Sequence, residues 1–295
     1  MIDLDGIFPA VATPFDEAGE VEWDSLRRNM QGWAAAPLCG YLALGSTSEF
    51  PALTRTEKER VIATVLEEAA GRTVIVQTGE QSTRETIDWT ARAAQLGAQA
   101  ALVVSPYYYK GLMTEKALER FYNDVAEGSP VPIMIYNIPQ NTGVNIPAAV
   151  VCRLAEHPNI IGIKDSSGNY GQLLDIIAGT PEGWGVTTGA ASMVFAALAS
   201  GGRGAILAAA NALPFEYCDI HRLVREGDLQ GAAEHQRRLQ RVGNLLSKHG
   251  IPGTKAAMDL LGYAGRHPRL PMLPCSDAAR DEILNALREA QLVRL

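Results

Sequence analysis

The chain is short of the residues that most often carry metal, redox or nucleic-acid chemistry. It has only four cysteines, Cys39, Cys152, Cys218 and Cys275, which lie far apart and never as Cys-x-x-Cys. Its five histidines stand at no metal-ligand spacing, and sit in helix-like or terminal contexts such as His157-Pro158 and His249-Gly250. Neither a disulfide scaffold nor a Cys/His metal centre is expected, and a reducing compartment fits. Positive charge is also scarce: 26 Lys and Arg face 33 Asp and Glu, a net charge of -7, and no basic stripe is interleaved with aromatics. Nucleic acid is therefore not an expected partner. No uninterrupted apolar run of about 20 residues occurs, so no membrane span is expected. The opening Met1 to Pro9 lacks a basic n-region and an apolar h-region, so no export signal is expected and the cytoplasm is the expected location.

What is present is a regular alternation. Of 295 residues, 47% are apolar, ample for a large core. Short apolar runs at residues 7–12, 40–44, 73–77, 100–105, 133–136, 160–164, 184–188 and 205–209 read as strands separated by amphipathic helical stretches. Helix starts are signalled by Thr54-x-x-Glu57, Thr56-x-x-Glu59 and Ser82-Thr83, and Gly97 ends one helix. Eight strand-then-helix units without a composition break favour a closed (β/α)8 TIM barrel over residues 1–226; an open doubly wound sheet is the alternative, because strand order is not written in the sequence. Residues 227–295 carry only helical pattern, at 229–249, 253–261 and 276–294, punctuated by Gly250, Pro252, Gly262, Pro268 and Pro271. They are expected to form a C-terminal three-helix appendage.

In such a barrel, chemistry gathers at the C-terminal strand ends. Those positions hold Thr13, the Gly45-Ser46-Thr47-Ser48-Glu49 run, Pro106 to Tyr109, Tyr136-Asn137, Lys164-Asp165, Thr188-Gly189 and Asn211. Lys164, one of only six lysines, closes an apolar run that reads as a buried strand. Burial there pushes an ammonium toward its neutral, nucleophilic form, ready to attack a carbonyl carbon and form an imine. A structural ion pair with a neighbour such as Asp165 is the competing reading. The Gly45 to Glu49 run sets hydroxyls and backbone N–H groups before a helix start, where a carboxylate could dock; N-capping by Ser46, Thr47 or Ser48 is the plainer account. Tyr136 is either a proton relay or a core tyrosine with one satisfied hydrogen bond. Small donors, phenols and one amine, without paired carboxylates, suit a short oxoacid better than a metal.

Four of these motifs, Gly45-Ser-Thr-Ser-Glu49, Ser105-Pro-Tyr-Tyr108, Tyr136-Asn-Ile-Pro139 and Gly162-Ile-Lys-Asp165, together resemble the pyruvate-dependent Schiff-base aldolases that include dihydrodipicolinate synthase and N-acetylneuraminate lyase. The resemblance spans nearly the whole chain. It implies a carbon–carbon lyase without cofactor or metal, in which Lys164 forms the imine with pyruvate and Ser46 and Thr47 hold its carboxylate. It further implies Tyr136 as acid and base, Tyr108 donated across a dimer contact to complete a catalytic relay whose hydroxyl is Thr47 or Ser46, Ile206 presenting a carbonyl to substrate, and a homotetramer built from dimers. Gly189, in the loop after the seventh strand, and Ser48 and Asn141 are expected to shape the substrate site. In that family the synthases of dihydrodipicolinate normally carry an arginine after Tyr-Asn-Val-Pro, where Gln140-Asn141-Thr142-Gly143 stands here, and the family usually has glycine where Ser48 stands. Loss of a bidentate guanidinium argues against that synthase, and Asn141, with Gly45-Ser46 and the Gly250 to Asp259 stretch, resembles the 4-hydroxy-2-oxoglutarate aldolase branch, so a 4-hydroxy-2-oxo acid aldolase is the expectation. The alternatives are dihydrodipicolinate synthase itself, a 3-deoxy-2-oxo sugar acid aldolase or dehydratase, and, outside enzymes, an oxoacid-binding regulatory barrel.

Overall fold

A computed structural model describes residues 2–293; Met1, Arg294 and Leu295, at the ends of the stretches assigned from sequence, lie outside the described residues. Eight parallel strands, β1 (Ile7–Pro9), β2 (Gly40–Ala43), β3 (Thr73–Gln77), β4 (Ala100–Val104), β5 (Ile133–Asn137), β6 (Ile160–Asp165), β7 (Gly185–Thr188) and β8 (Gly204–Leu207), run side by side in chain order from β2 to β8. β1 pairs with β8 through Ile7↔Ala205, Phe8↔Ile206 and Pro9↔Leu207. The ring closes on its other side through the parallel bridge Ala10↔Leu42, supported by Val11 N–H donating to the Leu42 carbonyl at 2.9 Å. This closure rules out the open doubly wound sheet: both flanks of β1 are paired, so no edge strand is left.

A main helix follows each strand: α1 (Trp23–Trp33), α2 (Arg55–Glu68), α3 (Thr83–Leu96), α4 (Glu115–Gly128), α5 (Ala148–Leu154), α6 (Tyr170–Gly179), α7 (Val194–Ala199) and α8 (Pro214–Glu226), with one extra α-helical turn, Pro139–Thr142, between β5 and α5. Of the two capping boxes in the sequence, the chain uses the first. The Thr54 hydroxyl accepts from Glu57 N–H and Glu57 accepts from Thr54 N–H. Ser82 caps α3, and Gly97 ends it in the left-handed region at φ 112°. Alternation along each strand sends Phe8, Leu42, Ile75, Leu102, Met134, Tyr136 and Ile206 into the barrel interior, while Ile7, Ala43, Val74, Val76, Val103, Ile135 and Ile163 pack under the helices. Two further helices, α9 (Leu229–Leu260) and α10 (Asp277–Glu289), complete the chain. α9 breaks at Gly250, whose φ of 62° and ψ of -142° only glycine adopts cheaply, and Pro252 follows within the restarted helix. α9 packs along α8 and α10.

Candidate active site

Parity and register decide what meets at the C-terminal mouth of the barrel. Tyr136 on β5 stands opposite Lys164 on β6, and Asn137 opposite Asp165. Neighbours in a strand face opposite ways, so Tyr136 and Lys164 share the interior face while Asn137 and Asp165 share the other. Both interior side chains are buried, 2% and 4% exposed, and the Lys164 Nζ lies 4.4 Å from the centroid of the Tyr136 ring. Gly189 closes over the lysine stem. A Cβ there would come within 3.0 Å of Lys164 Cε and strike the Ser166 hydroxyl, so only glycine lets the backbone pass.

The ion pair between Lys164 and Asp165 weighed from the sequence does not form. Asp165 instead accepts from Asn137 Nδ2 at 2.8 Å and from the Ser167 hydroxyl at 2.8 Å, and burial raises its pKa above the usual carboxylate value. Asn137 is held in turn by accepting from Ile146 N–H and donating to Asn145. Among the described residues the Lys164 ammonium takes part in no ion pair.

The loop after β2 contributes a single 3₁₀ turn, Ser46–Ser48, and not the start of a regular helix. α2 begins later, at Arg55, and Thr54 caps it, so none of Ser46, Thr47 and Ser48 is a helix cap. A 3₁₀ turn leaves its first N–H groups, those of Ser46 and Thr47, without partners inside the turn. The Ser46 Oγ lies 3.4 Å from the Tyr136 hydroxyl, and Thr47 is 6% exposed. Ser48 is turned away: its hydroxyl donates to the Val11 carbonyl, and its own carbonyl accepts from the Thr13 hydroxyl at 2.9 Å. Asn211 is likewise engaged, bridging the Ala10 carbonyl and the Ala12 N–H. Thr13, Ser48 and Asn211 therefore stitch loops together at the mouth.

Above Tyr136 opens a cavity of about 480 Å³. Ser46, Gln77, Tyr107, Tyr136, Asn141 and Thr142 give it polar groups, and Phe50, Val104, Ile138, Ile251 and Met272 an apolar wall. Lys164, Thr47, Gly189 and Ile206 lie outside this lining; Ile206 is fully buried in the same interior cluster as Tyr136. Tyr108 also stays out of its own chain's cavity. It is 75% exposed, with its ring edge-on to Tyr109 at 5.0 Å, on a loop pinned by Gln81, which accepts from the Tyr107 and Tyr108 N–H groups.

Three residues at the mouth escape a reading of the sequence. Gln77 ends β3 and lines the cavity. Arg269 lines it too, spending its whole guanidinium on Gly19, Ala52 and Glu57. Lys255, 1% exposed, reaches the Glu49 carboxylate at 2.6 Å and the carbonyls of Thr13 and His267 at 2.7 Å each. Burial pushes its pKa down to about 8 against the pull of Glu49. The strand-end rule exposes Gln77. Nothing local marks Arg269 or Lys255, which reach the mouth from the far end of the chain. Among the described residues no group of three or more His, Cys, Asp or Glu is placed to hold a metal, and no helix is long and apolar enough to cross a membrane.

Comparison with known proteins gives a consistent result. The model of the dihydrodipicolinate synthetase family matches residues 3–290. A 4-hydroxy-tetrahydrodipicolinate synthase of Exiguobacterium sp. is 35% identical over 98% of this chain and 99% of its own length. Among solved structures, dihydrodipicolinate synthase from Thermotoga maritima superposes with a TM-score of 0.94 at 30% identity, covering 99% of this chain and 100% of that one. The chloride-inhibited dihydrodipicolinate synthase from Acinetobacter baumannii, complexed with pyruvate, gives 0.93 at 31% identity, covering 98% and 100%.

Proposed function

The chain belongs to the dihydrodipicolinate synthetase family and is a carbon–carbon lyase of the class I, pyruvate-dependent kind; from that premise we propose that it joins pyruvate to aspartate semialdehyde, as its similarly sized relatives named 4-hydroxy-tetrahydrodipicolinate synthase do. The observation that carries the chemistry is an unpaired amine, Lys164, buried against a phenol that opens onto a cavity.

In this reading Lys164 Nζ attacks the ketone carbon of pyruvate as the free amine. Tyr136 supplies the proton with which the carbinolamine oxygen leaves as water. The protonated imine then acts as an electron sink, so that loss of a proton from the former methyl group leaves an enamine, whose carbon attacks the aldehyde carbon. Ser46 and Thr47 hold the pyruvate carboxylate through hydroxyls and the spare N–H groups of their turn. Gly189 lets the backbone pass close to the Lys164 stem, and Ile206 presents its backbone carbonyl to the substrate. Tyr108 completes the proton relay in a neighbouring copy's site, within a homotetramer of paired dimers; its exposure and its place outside its own cavity support this. Ser48 acts from behind the turn, by fixing Thr47 against β1. The four cysteines, none paired with another, suit a cytoplasmic setting.

A second reading, cleavage of a 4-hydroxy-2-oxo acid to pyruvate and an aldehyde, is favoured by Asn141, which lines the cavity in the segment where the synthases of dihydrodipicolinate carry an arginine. Two experiments in sequence decide. Pyruvate with borohydride should leave a reduced adduct on Lys164, located by mass spectrometry; an unlabelled Lys164 sinks both readings and turns the protein into an oxoacid-binding barrel. Parallel assays of condensation with aspartate semialdehyde and cleavage of 4-hydroxy-2-oxoglutarate then rank the two, and faster cleavage overturns the synthase reading.

A further inference from the structure

The charged groups on the cavity wall are already spent. Among the described residues only Glu49 and Arg269 bring charge to the lining; the first is paired with Lys255, and all five N–H groups of the second are engaged within the protein. Recognition of whatever enters therefore falls to neutral groups. Gln77 stands out among these. It is 4% exposed, neither end of its amide hydrogen-bonds to any described residue, and its Oε1 is fully buried without a partner. A buried amide left unpaired is costly, and core positions that need no polar group are filled by apolar ones, as Ile75 and Val76 are on the same strand. The lack of a protein partner points to one that arrives with the ligand.

Position narrows what that partner is. Going round the ring, β3 is two strands from Tyr136 on β5 and three from Lys164 on β6. Gln77 thus faces the cavity from the side away from the imine, so whatever group meets it belongs to the far part of the aldehyde's carbon chain. We propose that Gln77 is a specificity residue that selects the aldehyde by hydrogen-bonding a hydroxyl or amino substituent on that chain. An amide meets both: a hydroxyl donates to its oxygen or accepts from its nitrogen, and an ammonium donates to its oxygen. The inference rests on the pyruvate–aldehyde reading and names the feature of the second substrate that the pocket reads.

The experiment compares matched aldehydes in the full-length enzyme and in Gln77→Leu, with Gln77→Met used if the leucine variant does not fold. Aspartate semialdehyde against succinate semialdehyde isolates the amino group; glyceraldehyde against propanal isolates the hydroxyls. Borohydride trapping of pyruvate on Lys164 reports an intact imine site in each protein. The expected result is a fall of at least about tenfold in kcat/KM for the substituted member of one pair, with its unsubstituted analogue and the adduct unchanged. The pair that responds tells amine from hydroxyl. Equal losses within both pairs, or no loss in either, overturn the proposal. Failure of the unaltered enzyme to form the adduct is a separate result, because it removes the reading on which the proposal rests before any variant is compared.

Discussion

Two lysines of this chain are fully enclosed, and the fold treats them in opposite ways. Lys255, on the restarted part of α9, has each ammonium hydrogen spent, on the Glu49 carboxylate and on two carbonyls. Lys164, at the end of β6, has a ring face, a glycine and, among the described residues, no anion. Lys255 has its pKa lowered to about 8, a shift that by itself flags a functional site. Geometry argues otherwise, since an amine with three partners cannot reach a ketone without abandoning them and stranding a buried carboxylate. Burial alone does not mark a nucleophile; freedom from partners does. Lys255 serves the scaffold instead, tying the C-terminal helices to Glu49, the residue that ends the Ser46–Ser48 turn in a left-handed conformation at φ 58°. Arg269 N–H adds a second tie to the same carboxylate at 2.8 Å.

Methionine at each lysine separates the two roles. Lys164→Met should lower turnover by about 10³-fold or more, because no other group supplies the imine, and should shift stability by no more than about 1 kcal/mol, since only a cation–π contact is lost. Lys255→Met should do the reverse. It leaves Glu49 buried without its cation, which costs about 3–5 kcal/mol, while the folded fraction still yields the pyruvate adduct on Lys164. Adding Glu49→Gln should recover much of that loss by removing the stranded charge. Urea denaturation and borohydride trapping, run on the same samples, read both effects. An adduct that disappears in Lys255→Met at unchanged stability would exchange the two assignments.

The same contrast explains what is legible in the sequence. Lys164 and Tyr136 stand at the ends of apolar runs, so strand parity and the strand-end rule locate them without knowledge of the fold. The eight strands are legible for the same reason, with errors at their ends that have local causes. β8 stops at Leu207, short of residue 209, because Ala208 already takes helical angles, φ -63° and ψ -42°, and leads into a turn. β1 stops at Pro9, short of residue 12, and the ladder beyond it shrinks to the single bridge at Ala10. The break in α9 is legible because Gly250 and Pro252 interrupt the helical pattern. Lys255 and Arg269 are not. Their partners, Glu49 and Glu57, lie more than two hundred residues away along the chain, and no periodicity links groups that meet only when the C-terminal helices fold back over the barrel mouth. Gln77 falls between these cases: its strand is plain from the apolar run, but its value shows only once its neighbours leave it unpaired.

The smallest expected effect tests the paired side of the comparison by pH. Glu57 receives both terminal nitrogens of Arg269, at 2.6 and 2.9 Å, and the Thr54 N–H at 2.8 Å. The Arg269 guanidinium is the main cause that holds its pKa down, from the ordinary 4.5 to about 2. A carboxylate whose pKa is lower folded than unfolded contributes stability that is complete above its unfolded value and is lost as pH falls toward its folded one. The contribution is at most about 3 kcal/mol, and less to the extent that the pair, 16% and 18% exposed, is screened by solvent. Denaturation midpoints should therefore fall between about pH 5 and pH 2 in the unaltered protein. Arg269→Met should start from lower stability and show a flatter descent over that window, because Glu57 then titrates near its ordinary value in both states. Lys164→Met should descend in parallel with the unaltered protein, since its amine faces no carboxylate. If instead the Lys164 variant flattens the acid limb, the amine holds an anion after all, and the distinction between the two lysines fails.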